Sequence, residues 1–440
     1  MQNKFITLVF FILINRTIFP QLNNQNDLLL TNANLQTCVN YALLHQPSIK
    51  QSLLDEKIVN QQIKSKLADW FPQLNLNFNF QHNYKLPTSI FQGNPVHIGL
   101  VNTSNAQFTL TETLFDRDVL FASSTASNVR QQASQSTINN KINLVVNVSK
   151  AYYSVLLALQ QINLASEDII RLQQSYKDAY YQYKSGTVDK TDYERASISL
   201  NNSMAEQKFD EERLKTNYAS LKNLMGYPVN EGLTLAFDST EMEKGAFIDT
   251  TITLNYNNRI EYKLLQTQLK LQKANLNYNY WSFLPTLTAF GNYNFNFQND
   301  ELQKLYNINY PSEYVGITLS LPIFQGGKRF QEIDQASLEV ERNEYDIASL
   351  KNLLNVEYTQ AMANYKSNLS SFNAAKKNLI LVKDVYNTIE LQYKAGVKTY
   401  LDVITAETDL RTTEVNYSNS LYQLLSSKLD VEKALGIIKY

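Results

Sequence analysis

The stretch "LNLNFNFQHNYKL", residues 74–86, is written in two letters at a time. Leu74, Leu76, Phe78, Phe80, Tyr84 and Leu86 share one parity, and Asn75, Asn77, Asn79, Gln81, Asn83 and Lys85 share the other. A period of two places successive side chains on opposite faces of a strand. Half-buried strands of soluble sheets alternate in the same way, so length and chemistry must decide. The run is about as long as a tilted membrane strand. Its polar face is almost uncharged amide, which suits the water-filled side of a barrel wall.

Three more segments carry the same code. "NAQFTLTETLF" (105–115) returns from the first strand. Leu287, Ala289, Tyr293, Phe295 and Phe297 then alternate with Thr286, Thr288, Asn292, Asn294 and Asn296, and "YVGITLSLPIF" (314–324) returns again. The loops between them, "PTSIFQGNPVH" and "NDELQKLYNINYP", hold the turn formers. Glu112 breaks the code by falling on the apolar parity and is expected below the bilayer. Four strands cannot close a channel, because membrane barrels need about eight or more. Several chains must pool their strands, and three would supply twelve.

The four strands fall into two hairpins because the chain is duplicated. Gly186 and Gly396 are 210 apart (396 − 186), as are Asp192 and Asp402, and Gly226 and Gly436. Phe115 and Phe324 are 209 apart, and Pro72 and Pro285 are 213 apart. Five landmarks in register indicate a tandem repeat. Each half reads helix, strand, loop, strand, very long helix, tip, return helix. The first half spans 23–225 with its β-hairpin over 73–115 and its tip over 184–192. The second spans 256–440, with a hairpin over 286–324 and a tip over 394–402. Residues 226–255, rich in turn formers, link the halves at the waist.

The first helix is expected from Asn34 to Asp69, stopped ahead of Pro72. Helices from about Asp118 to Tyr183 and from Gly327 to Tyr393 contain no proline. At 1.5 Å per residue they extend on the order of 100 Å, which calls for coiled-coil packing. Ile138, Ile142, Val145, Tyr152, Leu156 and Leu159 fit a 4-3 seam, with Ser149 at one seam position. Return helices run from about Lys190 to Leu224 and from Tyr400 to Leu435. The tips repeat one phrase, "YKSGTVDKTDY" (183–193) and "YKAGVKTYLDV" (393–403), each with a glycine placed for a left-handed cap.

Composition bounds the function. The 440 residues carry a net charge of −1, leaving no electrostatic footprint for nucleic acid. Three histidines and one cysteine leave little for metal sites or thiol chemistry, and no cofactor is expected. Residues 1–22 read as a secretory signal, with Lys4 ahead of an apolar core from Phe5 to Ile14. Cys38 lies far beyond that core and reads as a packed helix thiol. No run of 18 apolar residues follows, so no helical membrane span is expected.

The chain resembles the TolC-like outer membrane efflux proteins of Gram-negative bacteria over nearly its whole mature length. The carriers are "YKAGVKTYLDVITAETDL", "PIFQGGKR", "LPTL" before an alternating strand, and the final "KALG". The resemblance implies a mixed α and β membrane protein. Four transmembrane strands per protomer would contribute to a homotrimeric 12-stranded barrel in outer membrane lipid. A long antiparallel helical tunnel would continue that barrel into the periplasm. It implies a non-enzymatic exit duct of a tripartite efflux or type I secretion system, docked to a periplasmic adaptor and an inner-membrane transporter. It also places a gate at the tips, where Tyr393 and Lys398 would bond to Thr191 and Asp192 and three copies of Asp402 would ring the aperture. Gly186, Thr187, Gly396, Val397, Leu401 and Val403 would meet the adaptor. Two positions depart from the family pattern. Lys398 stands where arginine is frequent and offers a point charge rather than a planar fork, and Thr405 stands where some members carry a second aspartate.

Rival readings explain less. An enzyme would need a constellation, and no G-x-S-x-G, H-E-x-x-H or paired Cys/His pattern occurs. "QGGK" (325–328) lacks P-loop spacing and is placed to ease a strand-to-helix bend. A structural coiled-coil envelope protein accounts for the helices and leaves the strands unexplained. A general porin has many strands per chain and no helices of this length.

Overall fold

The computed structural model describes residues 30–236 and 239–440, so the expected signal over 1–22 lies outside the described residues. The first helix is broken where one was expected. Helix α1 (Leu35–His45) and helix α2 (Pro47–Leu67) meet at Gln46, which sits at φ −61°, ψ 124°. The proline at 47 explains the break, because its ring pushes the preceding residue out of the helical region and then starts a helix well. Asn34 caps α1 by accepting from the Thr37 amide. A short 3₁₀ turn, Ala68–Trp70, ends α2 ahead of Pro72.

The strands follow as β1 (Gln73–His82), β2 (Thr88–Phe91), β3 (Asn94–His97) and β4 (Asn102–Phe115). The second half supplies β5 (Thr286–Asn299) and β6 (Ser312–Ser320). Strands β1-β4-β5-β6 form one antiparallel sheet, so the two hairpins are joined through β4 and β5. Both loops hold more structure than turn formers alone suggest. The first folds into a small β2/β3 hairpin turned at Gln92 and Gly93, both at positive φ. The second holds a 3₁₀ helix, Leu302–Asn307. Strand β6 stops at Ser320, short of the expected Phe324, since Pro322 has no amide to give to a ladder.

Register confirms the two-faced code. Leu74, Leu110, Gly291 and Val315 stand in one row across the sheet, as do Leu76, Phe108, Tyr293 and Glu313. Asn77, Gln107, Asn294 and Ser312 form a row on the other face. Amides on that face bond across strands: Gln107 Nε2 to Asn292 Oδ1 at 3.0 Å, Thr109 Oγ1 to the same oxygen at 2.6 Å, and Asn294 Nδ2 to Ser312 Oγ at 3.1 Å. Glu112 lies opposite Ala289, three residues from the end of β4, at the helical end of the sheet. Phe290 and Tyr314 fall on the amide parity and meet edge to face, with centroids 6.2 Å apart. Phe290 lies over Gly316, where a Cβ would come within 2.7 Å of its ring. The bare glycine backbone is covered by the neighbouring ring, a known way to stabilise glycine in a sheet.

Helix α3 (Arg117–Lys184) and helix α4 (Lys190–Met225) form the first hairpin. A short α5 (Ser239–Gly245) lies in the waist link, and α6 (Ile260–Tyr280) leads back to the sheet. Helices α7 (Lys328–Lys394) and α8 (Tyr400–Leu435) form the second hairpin. Gly326 and Gly327, at φ 59° and 82°, make the bend from β6 into α7. At 68 and 67 residues, α3 and α7 each extend about 100 Å.

Val145, Ser149, Tyr152 and Leu156 of the expected seam are buried, but so are Leu144, Val146, Val148 and Val155. The seam widens because α3 is surrounded at the waist by α1, α4 and α8. One 18-residue window of α3 reaches a mean hydropathy of 1.4, and half of it is buried in the protein. Its apolar residues belong to a core rather than a bilayer face.

The waist shows the duplication in three dimensions. Tyr152 donates to the Ala236 carbonyl at 3.0 Å, and Tyr365, 213 residues on (365 − 152), donates to the Ala246 carbonyl at 3.1 Å. Gly226 and Gly436 end α4 and α8 in the left-handed region at φ 67° and 70°. Each also needs to be bare. A Cβ at Gly226 would lie 3.0 Å from the His45 carbonyl oxygen, and one at Gly436 only 2.7 Å from that of Asn258. Buried Arg259 ties the second half together, reaching the Ala434 carbonyl at 3.0 Å and Glu357 at 2.9 Å.

Candidate gate at the hairpin tips

The two tips are built alike at their first turn. Thr187 N bonds to the Gln182 carbonyl at 3.0 Å and Gly186 N to that of Tyr183 at 2.9 Å. Val397 N and Gly396 N make the same pair of bonds to Gln392 and Tyr393, each at 2.9 Å. This is a Schellman ending, and it needs the positive φ of 76° at Gly186 and 75° at Gly396. No neighbour lies within 4 Å of a Cβ at either glycine, so conformation alone selects the residue.

At the second turn the tips differ. Thr399 caps α8 in a reciprocal box: Asp402 Oδ2 accepts from Thr399 N at 2.9 Å and from its hydroxyl at 2.8 Å, while Thr399 Oγ1 accepts from Asp402 N. These bonds, with Lys398 nearby, hold the Asp402 carboxyl below the usual carboxylate range. The corresponding cap on α4, Asp189, makes no side-chain bond. Lys190 instead pairs with Glu194 at 2.6 Å on the surface.

The hairpins are joined near the tip by aromatic packing. Tyr400 is 4% exposed and lies against Ala179 of α3 and Ala196 of α4, with Tyr176, Tyr193 and Tyr393 around it. Burial raises the Tyr400 phenol far above its ordinary pKa and raises that of Tyr393 as well. Tyr193 stacks on Tyr183 and packs against Tyr176 and Tyr180.

The expected latch residues are drawn together only in part. Tyr393 donates across the hairpins to Gln182 Oε1 at 3.2 Å. Lys398 lies 3.9 Å from Asp402 on its own tip. Among the described residues, neither bonds to Thr191 or Asp192 within the chain. Gln182 occupies the last turn of the facing helix where the Tyr393 hydroxyl lands, and Lys398 lies four residues before a carboxylate already fixed by the cap. Thr191 is exposed and Asp192 half-buried on the first turn of α4.

Of the expected docking residues, Gly186, Thr187, Gly396, Val397 and Leu401 are exposed, Val397 by 71%. Val403 is the correction, being only 4% exposed. It shares the inward stripe of α8 with Tyr400, Ala406, Glu407 and Leu410, three to four residues apart, and cannot face outward. Sequence reasoning missed Gln182 and Tyr400. The repeat held a signal for Tyr400, because its counterpart 210 residues earlier (400 − 190) is the charged Lys190. A position where two repeats differ so sharply marks an asymmetric contact.

The profile of the family described as "Outer membrane efflux protein" matches residues 38–227 and 260–437. TolC of Salmonella enteritidis is 22% identical over 428 residues, covering 92% of this chain and 82% of that protein. The alkaline protease secretion protein AprF of Pseudomonas aeruginosa is 24% identical over 307 residues, covering 67% of this chain and 62% of AprF. A crystal structure of CusC superposes with a TM-score of 0.75 at 18% identity, covering 92% of this chain and 93% of that one. A sheet coded for lipid on one face and water on the other, joined to paired hairpins whose long helices extend about 100 Å, agrees with all three. The chain belongs to the outer membrane efflux protein family.

Proposed function

We propose that three copies of this chain assemble into a passive exit duct. A periplasmic adaptor would dock at its tips, and an inner-membrane transporter would drive cargo through it. One observation carries this reading. The sheet presents β1 and β6 as open edges, and its apolar face is unpartnered, with Leu74 67% and Val315 87% exposed. Open edges and an apolar face together require lipid outside and further copies alongside. A structural coiled-coil protein would have no use for such a sheet.

In this reading the hairpin tips form the gate. Tyr393, Lys398, Thr191 and Asp192 supply the polar contacts of the closed mouth, and Asp402 lines it with negative charge. Gly186, Thr187, Gly396, Val397 and Leu401 present the adaptor surface. The test is the detergent-purified protein, measured for oligomeric mass and in planar bilayers. Trimers giving small, cation-preferring conductances are expected. A monomer that forms no channel would overturn the reading.

A further inference from the structure

Above the tip, one buried carboxylate has no counterpart in the gate just described. Glu407 of α8 is 3% exposed, and only one of its oxygens is engaged, by Ser175 Oγ at 3.4 Å. Its Oε2 is fully buried without a hydrogen-bond partner. Glu407 lines a cavity of about 200 Å³ together with Asp168, Ser199, Asn202 and Arg411. Asp168 of α3 is 2% exposed and takes Ser203 Oγ of α4 at 2.7 Å. Three helices from both hairpins therefore meet at two acids.

The surrounding charges do not neutralise Glu407. From α3, Arg171 lies 3.4 Å from Asp168 and 4.0 Å from Glu414. From α8, Arg411 approaches Asp168 at 3.7 Å. From α7, Lys383 pairs with Glu414 at 3.5 Å, while Glu390 and the Tyr386 phenol add only negative charge or a neutral group near Glu407. From α4, Ser199 and Asn202 line the cavity without charge. Both arginines thus pair with Asp168 or Glu414 rather than with Glu407, and Arg171, whose Nε is buried without a partner, offsets the burial of Glu407 only in part. A carboxylate buried with an idle oxygen beside another carboxylate favours its neutral form.

We propose that Glu407 is a positioning residue for the tip, whose bound proton holds the second hairpin against the first. This inference rests on the duct reading. Burial, followed by the Asp168 charge, pushes the Glu407 carboxyl up to about 7. The sign follows from that raised value. An opened, solvated glutamate titrates near its ordinary value, so the closed arrangement holds the proton more tightly. Closure is favoured in acid and weakens as pH rises through about 7. Between pH 6 and pH 8 the closing equilibrium constant falls roughly ten-fold.

The test uses the full-length protein in planar bilayers from pH 5.5 to 8.5, with thermal unfolding followed over the same range. The parent's conductance is expected to rise, and its Tm to fall, as pH climbs toward 7, with both levelling off above it. Glu407→Gln imitates the protonated acid, so it should hold the low-pH conductance and Tm throughout. Asp168→Asn removes the charge that raises Glu407 and should bring the levelling-off to lower pH. Profiles of parent and Glu407→Gln that coincide would overturn the proposal, as would a levelling-off unmoved by Asp168→Asn. A parent that forms no channel would sink the duct reading, and the Tm profiles would then still decide whether Glu407 binds the proton.

Discussion

At the scale of single residues, four glycines with positive φ separate conformational from steric need. Gly186 and Gly396 have open space where a Cβ would go, while Gly226 and Gly436 face backbone atoms within 3.0 Å. Gly396→Ala should therefore cost only the left-handed strain, about 1–2 kcal/mol. Gly436→Ala should cost distinctly more, since α8 must shift away from Asn258. Unfolding of the two variants in detergent checks the order, and equal losses would contradict it. Asp402 offers a second measurement. Its carboxyl is held low by Thr399 and Lys398, so its contribution is present at neutral pH and is lost as pH falls through its lowered value. Asp402→Asn should lower Tm at pH 7 and lower it progressively less in strong acid, as read by Tm against pH. Both glycine caps and this aspartate were legible as repeated letters. The contact between Tyr393 and Gln182 was not, because it depends on how two helices 211 positions apart lie side by side.

At the scale of elements, the sheet is the part most completely written in the sequence. A period of two fixes which face each residue takes once the register is set, and the amide ladder sets it. Val315 and Thr318, on opposite parities of β6, should then respond oppositely to the same charge. Val315→Lys puts an ammonium toward lipid and should cost about 2–4 kcal/mol if it lies near the midplane. Thr318→Lys should fold normally and lower the preference for cations. Folded yield after detergent refolding and reversal potentials in salt gradients check the pair. The helices were less fully legible. Their length followed from the absence of proline, yet the break at Gln46 depended on one residue, Pro47, inside an otherwise helical pattern. The burial of Val148 and Val155 beyond the 4-3 seam came from neighbours that no local periodicity reveals.

At the scale of the whole molecule, duplication produces near-symmetry with useful exceptions. Tyr152 and Tyr365 each donate to a waist carbonyl, and Tyr365 accepts in turn from the Ile248 amide at 3.0 Å. Tyr365→Phe leaves the buried Ala246 carbonyl and the partly buried Ile248 amide unmatched and should cost about 2–4 kcal/mol. Unfolding titrations of parent and variant check the loss directly. A second expectation concerns assembly. With β1 and β6 open at the edges, folding is linked to association, so Tm in detergent should rise with protein concentration. A concentration-independent Tm at low occupancy would mean that the sheet is stable alone.

What the sequence determined by itself is whatever repeats or alternates: the two-faced strands, the doubled plan, the helix lengths and the glycine endings. Each follows from local geometry, in which a residue's place depends on its near neighbours along the chain. Tertiary structure alone decided which side of α8 faces the first hairpin. That turned Val403 inward, seated Tyr400 between Ala179 and Ala196, and brought Glu407 into the cavity it shares with Asp168. The physical reason is that helix rotation and long-range pairing are fixed by packing between distant segments.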